Sequence, residues 1–173
     1  MDIGLFALHV IPGALFIGHG AQKLFGVFGG HGIDGTGGFF ESLGLRPGRL
    51  HARAAGAAEF FGGLLLALGL LVPLAAAVLI ATMLTASLTA HRGKGIWAQD
   101  GGFELPLVYS TIAFGLAAVG AGDISLDNAL GLDLAGADWA FGALGVGLLG
   151  GLGAVASGRL THESGSRAHP QGA

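Results

Sequence analysis

Between Ile3 and Ala21 the chain carries no Asp, Glu, Lys or Arg. That run is long enough to cross a hydrocarbon layer as a helix, which needs about 20 predominantly apolar residues. Three more apolar segments follow, Arg53 to Val72, Pro73 to Ala90 and Phe103 to Ala121, and a Gly-rich, uncharged fifth runs from Trp139 to Ser157. None alternates with a period of two, so a barrel is excluded, and helices are the remaining way to satisfy a backbone in lipid. The composition agrees. Charged residues are 11% of the chain, against about 25% in a soluble domain.

The segments predict an all-α polytopic membrane protein. Helices 3–21, 53–72, 73–90 and 103–121 form an antiparallel four-helix transmembrane bundle, with small residues at its seams. Residues 139–157 add a fifth, C-terminal transmembrane helix. The organisation expected is a core over 1–130, the added helix within 131–158, and a disordered cytoplasmic tail over 159–173. Pro73 reads as the hairpin break between the second and third spans. The N-terminus lacks a basic stretch and a small-residue cleavage site, so the first helix is expected to be retained.

The charges decide orientation. Lys23, Arg46, Arg49 and Arg53 lie between spans one and two, Arg92 and Lys94 between three and four, and Arg159 and Arg167 after five. With five spans, all 8 basic residues fall on one side. The other side holds Asp2, Asp123, Asp127, Asp133 and Asp138. The excess of Lys and Arg on cytoplasmic loops then places the N-terminus outside and the C-terminus in the cytoplasm. Trp97 and Trp139 fall near span ends, as interfacial anchors do.

The loop after the first span is glycine-rich. Thr36 is expected to N-cap a short interfacial helix carrying Phe39, Phe40 and Leu43, with Gly44 as its stop. Pro47 suits the first turn of the next helix. Gly30 to Gly35 fits G-x-G-x-x-G, but a dinucleotide site needs a strand before that motif, and a membrane helix precedes this one. Gly147 and Gly151 make a G-x-x-x-G, to pack on the bundle or on another copy in a homo-oligomer.

Several function classes are excluded. There is no cysteine, hence no thiolate nucleophile, no redox dithiol and no thiolate metal ligand. No basic patch suits nucleic acid, and no histidine pairing at metal spacing calls for a metal. What remains is a set of polar residues at one depth. Glu59 lies six residues past Arg53, roughly 9 Å into its helix, where an unpaired carboxylate costs several kcal/mol. His19, Gln22 and Lys23 end the first span, His91 the third, and Glu104 begins the fourth. His19, Gln22, Lys23, Glu59, His91 and Glu104 are therefore the candidate site, with Thr82, Thr85 and Thr89 as a polar stripe leading to it. Each has a plainer reading beside the functional one. Lys23 could snorkel to headgroups, Glu104 could favour a helix dipole, and Glu59 could form a structural ion pair. Such a cluster could relay protons or hold a quinone oxygen; haem ligation by His19 and His91 ranks lower. At the opposite end only His9 is polar within a span, and it stands isolated.

Two runs carry a family resemblance. His19 to Gly26 reads H-G-x-Q-K-L-F-G, and Ala55 to Gly63 reads A-G-x-x-E-x-x-G-G. With TAHRGKGIWAQDGGFELPLVY and GDISLD downstream, the chain over about residues 1–130 resembles the DoxX family of small bacterial membrane proteins. His19, Gln22, Lys23, Gly26, Glu59, Gly62 and Gly63 occupy its motif positions. The resemblance implies a four-helix membrane core. It also implies an association with redox work, as in the small subunit of a thiosulfate:quinone oxidoreductase or in oxidative-stress complexes. A non-autonomous subunit is expected, with a soluble redox enzyme as partner at the cytoplasmic face. A small-solute permease, or a scaffold that recruits soluble partners through the glycine-rich loop, is the alternative.

Overall fold

The computed structural model describes residues 2–167, with side chains from 3 to 158. It is all-α; no strand occurs among the described residues. The helices are α1 (Asp2–Phe25), α2 (Gly32–Ser42), α3 (Gly48–Leu68), α4 (Val72–Leu88), α5 (Glu104–Val119), the single turn α6 (Leu126–Ala129) and α7 (Ala137–Arg167). A short 3₁₀ turn, Ala98–Asp100, interrupts the loop between α4 and α5.

Glycine sets how closely α1 and α3 approach. A Cβ on Gly13 would come within 2.6 Å of the Ala67 backbone nitrogen, and one on Gly63 within 2.7 Å of the Gly13 carbonyl oxygen. These contacts replace side-chain layers with backbone on backbone, the arrangement that small residues permit between helices in lipid. Gly20 and Gly56 repeat it one level further along, where Gly20 lies against Gly56 and Phe60. The same device joins α7 to α4. Gly147 packs on Ala77 and Ile80, and Gly151 on Ala81 and Leu84. The G-x-x-x-G pair is thus spent within the bundle. Between these seams lie two apolar cores, one around Phe16, Leu66, Leu79 and Leu116, the other an alanine-rich layer of Ala76, Ala77, Ala113, Ala117, Ala140 and Ala143 with Ile80.

Large apolar side chains point outward instead. Ile11 and Leu15 on α1, Phe61 on α3, Leu74 on α4, Leu105 and Leu107 on α5 and Leu149 on α7 are all exposed. Such continuous apolar surface is rare on soluble monomers and suits lipid contact. Ile3–Phe25 and Ala137–Gly158 are long and apolar enough to cross a membrane; Val72–Leu88 and Glu104–Val119 are apolar but shorter.

Several expectations shift. The second helix starts at Gly48, not Arg53, and the turn falls at Gly69–Leu71, with Gly69 and Leu71 both left-handed (φ 57° and 48°). Pro73 therefore sits inside the first turn of α4, where a missing N–H is harmless. What holds the turn is Asp127, 3% exposed, whose carboxylate accepts from the Leu71 and Val72 amides at 2.8 and 3.2 Å. The Asp127 amide returns a bond to the Gly69 carbonyl. The interfacial helix starts at Gly32, so Thr36 lies buried within it and does not cap it. Pro47 stands at the N-cap of α3, one residue before the helix, after a cis Arg46–Pro47 bond. Helix α7 continues to Arg167, so helix replaces the expected disorder over 159–167; the rest of that tail, 168–173, lies outside the described residues.

Candidate functional site

Lys23 ends α1 and Glu59 lies midway along α3, and the Gly20–Gly56 approach brings the two helices close enough for them to meet. The Lys23 Nζ donates to Glu59 Oε2 at 2.5 Å, with side-chain exposures of 22% and 8%. Nζ also donates, more weakly, to the His19 carbonyl at 3.4 Å. Glu59 Oε1 makes no hydrogen bond among the described residues. A carboxylate this buried is tolerable because it is paired, and Glu59 also borders open space.

That space is a cavity of about 460 Å³ walled by α2, α3, α4 and α7. Phe39 and Phe40 of α2 close one side, Ala55 and Ala58 flank Glu59, and Gly150 and Ala154 of α7 stand opposite. Thr82, Thr85 and Thr89 line the α4 wall. Each Thr hydroxyl donates back to its own helix, to the carbonyls of Leu79, Ala81 and Thr85. Their lone pairs remain free to accept. The cavity is apolar in its walls with few convergent polar groups, the usual make-up of a small-molecule site.

Helix α2 is held firmly in place over it. A Cβ at Gly48 would overlap the Gly37 carbonyl, and Glu41 Oε1 accepts from the Gly48 amide at 3.0 Å. An exposed Asp34–Arg49 ion pair at 3.0 Å adds little.

The other candidates lie elsewhere. The His19 imidazole donates from Nδ1 to Gln22 Oε1 at 3.2 Å, and Gln22 Nε2 donates to the Phe28 carbonyl at 3.0 Å. This pair pins the reversal after α1, where Phe28 is left-handed (φ 52°), and neither residue lines the cavity. His91 donates from Nδ1 to the Gly101 carbonyl at 2.6 Å and borders a separate groove with Arg92. Glu104 Oε2 accepts from the Ala98 amide at 2.8 Å and sits in a shallow depression with Trp97 and Gln99. The six residues thus fall in four separate places, and of them only Lys23 and Glu59 line the cavity. The haem pairing of His19 and His91 has no common pocket. Among the described residues no group of three His, Asp or Glu could hold a metal ion.

Sequence reasoning missed His51, which also lines the cavity. A signal existed: His51, Ala54, Ala55 and Ala58 follow i, i+3, i+4, i+7 and share a face. His9 is not idle either. It is 1% exposed and its Nδ1 donates to the Leu66 carbonyl at 3.1 Å, tying α1 to the end of α3.

Residues 4–92, just over half of the chain, match the DoxX family model. The chain belongs to the DoxX family. The matched stretch spans α1 to α4 and holds both members of the ion pair, so this DoxX protein is a membrane protein whose cavity is built mainly from family-matched helices. Helices α5 to α7 lie beyond the match, yet α7 supplies one cavity wall through Gly150 and Ala154. No curated protein and no solved structure matches the chain.

Proposed function

We propose that this DoxX protein is a membrane subunit of a redox system, and that its cavity receives the head of a quinone or a similar flat amphiphile. The observation that carries this reading is a half-open, largely apolar cavity with one buried ion pair inside it. A quinone ring presents apolar faces and two acceptor oxygens. Alanine and phenylalanine walls suit the faces. Lys23 has three ammonium protons and can turn one toward a carbonyl oxygen, while Glu59 and His51 can exchange protons with the ring oxygens as it is reduced or oxidised. Reduction to the quinol takes two electrons and two protons. The chain has no cysteine, so the electrons would come from a partner or a bound cofactor, and a soluble redox enzyme at the cytoplasmic face is the partner this reading calls for.

The embedding belongs to the same proposal. Helices α1, α3, α4, α5 and α7 cross a bacterial plasma membrane, α1 to α5 forming the four-helix bundle with α2 as its interfacial helix and α7 as a fifth span. The N-terminus is outside and the cavity near the cytoplasmic side. Outward apolar faces on all five helices and the gathering of Lys and Arg at one end support this. A permease would need a polar route to the opposite side. The apolar layer of Phe16, Leu66, Leu79 and Leu116 argues against one.

Photo-crosslinking tests the site. An azido-quinone should label peptides from α3, α4 and the Gly150–Ala154 stretch of α7 in wild-type membranes. Ala154→Trp, which fills the cavity from the α7 side, should abolish that labelling. Labelling spread evenly over lipid-facing residues would sink the proposal.

A further inference from the structure

A second depression, of about 700 Å³, lies between α4, α7 and the loop that joins α4 to α5. It shares no lining residue with the Lys23–Glu59 cavity. Its α7 wall is apolar, made of Leu152, Val155 and Ala156, and its rim carries Arg92 and His91. Arg92 is exposed and its guanidinium forms no ion pair among the described residues. Gly93 and Gly95 complete the rim without side chains. The His91–Gly101 bond at 2.6 Å fixes the loop against the groove.

Depth gives the groove its meaning. The uncharged run of α7 ends at Gly158, just before Arg159. Ala156 and Leu152 are two and six residues before that end, roughly 3 and 9 Å along the axis. The groove therefore runs from the level of the headgroups into hydrocarbon, with its cation at the top. Ile96 and Trp97 on the same loop are 49% and 62% exposed, as expected of residues at the membrane–water boundary.

We infer that this groove seats a phospholipid with an anionic head, its phosphate on the Arg92 guanidinium and an acyl chain along Leu152 and Val155. A guanidinium matches phosphate oxygens two at a time, and basic grooves between helices at a membrane face take anionic headgroups. The apolar wall below selects a lipid over a free anion. The bound lipid would bridge α7 to the α4–α5 loop. This inference rests on the proposed embedding but not on the quinone reading, because it uses neither Lys23 nor Glu59.

Native mass spectrometry of the full chain, released from nanodiscs of phosphatidylcholine and phosphatidylglycerol, tests it. Wild-type protein should retain one phosphatidylglycerol. Arg92→Gln and Ala156→Trp should each lower that retention roughly ten-fold, the effect of about 1.4 kcal/mol. Arg92→Lys, which keeps the charge but not the fork, should fall between wild type and Arg92→Gln, and Arg49→Gln, an exposed arginine elsewhere, should change nothing. Four results would overturn the inference: full retention by Arg92→Gln, an equal loss with Arg49→Gln, complete displacement by millimolar inorganic phosphate, or a lipid-free pair of chains in place of the lipid complex.

Discussion

The Lys23 ammonium lies 2.5 Å from the Glu59 carboxylate and joins the end of α1 to the middle of α3. Both residues are largely withdrawn from water, so each depends on the other. Lys23→Met leaves a buried carboxylate without its cation, and breaking such a pair costs about 3–5 kcal/mol. Replacing both partners, as in Lys23→Met with Glu59→Leu, should recover most of that loss. Unfolding in detergent, followed by circular dichroism for the two single variants and the double, checks this. Additive losses in the double variant would mean that the two residues are not coupled.

The glycine seam makes a sharper contrast. Gly13 has backbone within 2.6 Å of where a Cβ would stand, whereas Gly18 on the same helix has nothing within 4 Å. Gly13→Ala should force α1 from α3 and cost about 1–3 kcal/mol. Gly18→Ala should be neutral, or stabilising by up to about 1 kcal/mol through helix propensity. Thermal unfolding of the two variants, side by side, reads the difference.

Asp127 caps the turn into α4 through two backbone amides. Asp127→Ala removes the acceptors of the part-buried Leu71 amide and the buried Val72 amide, and a lost charge-assisted bond of this kind costs about 1.5–3 kcal/mol. Asp127→Asn, which keeps one acceptor oxygen, should lose less. Hydrogen exchange at the Leu71 and Val72 amides should quicken in the alanine variant before the rest of α4 responds.

Helix number and chemistry were legible in the sequence to different degrees. Apolar runs marked α1, α3, α4, α5 and α7, while the single turn α6 was not foreseen. Their ends were less visible. The α3–α4 turn sits at Gly69–Leu71 because Asp127, more than fifty residues on, supplies acceptors to amides that no local residue could satisfy. Thr36 resembled a cap, yet tight packing of Gly37 on α3 carries the helix through it to Gly32. The polar cluster was inferred from depth alone. Depth does not say which way a side chain turns, and His91 and Glu104 turn to the loop between their own helices. Lys23 and Glu59 meet because glycines at 20 and 56 let their helices touch, a relation carried in the two motifs but not in their spacing.

Orientation has a clean test because the chain has no cysteine. Single cysteines at Gln99 and Asp133 should label oppositely with an impermeant maleimide: Asp133→Cys in intact cells, Gln99→Cys only after the membrane is opened. Labelling of both from one side would remove the five-span arrangement.

The claim at the centre is that the Lys23–Glu59 cavity binds a flat, carbonyl-bearing amphiphile. Calorimetric titration of the purified protein in mild detergent with a short-chain quinone tests it most directly. Saturable one-to-one binding is predicted for the wild type, weakened roughly ten-fold in Glu59→Gln, about 1.4 kcal/mol, in protein that remains folded. No saturable binding, or equal affinity in the two proteins, would contradict it.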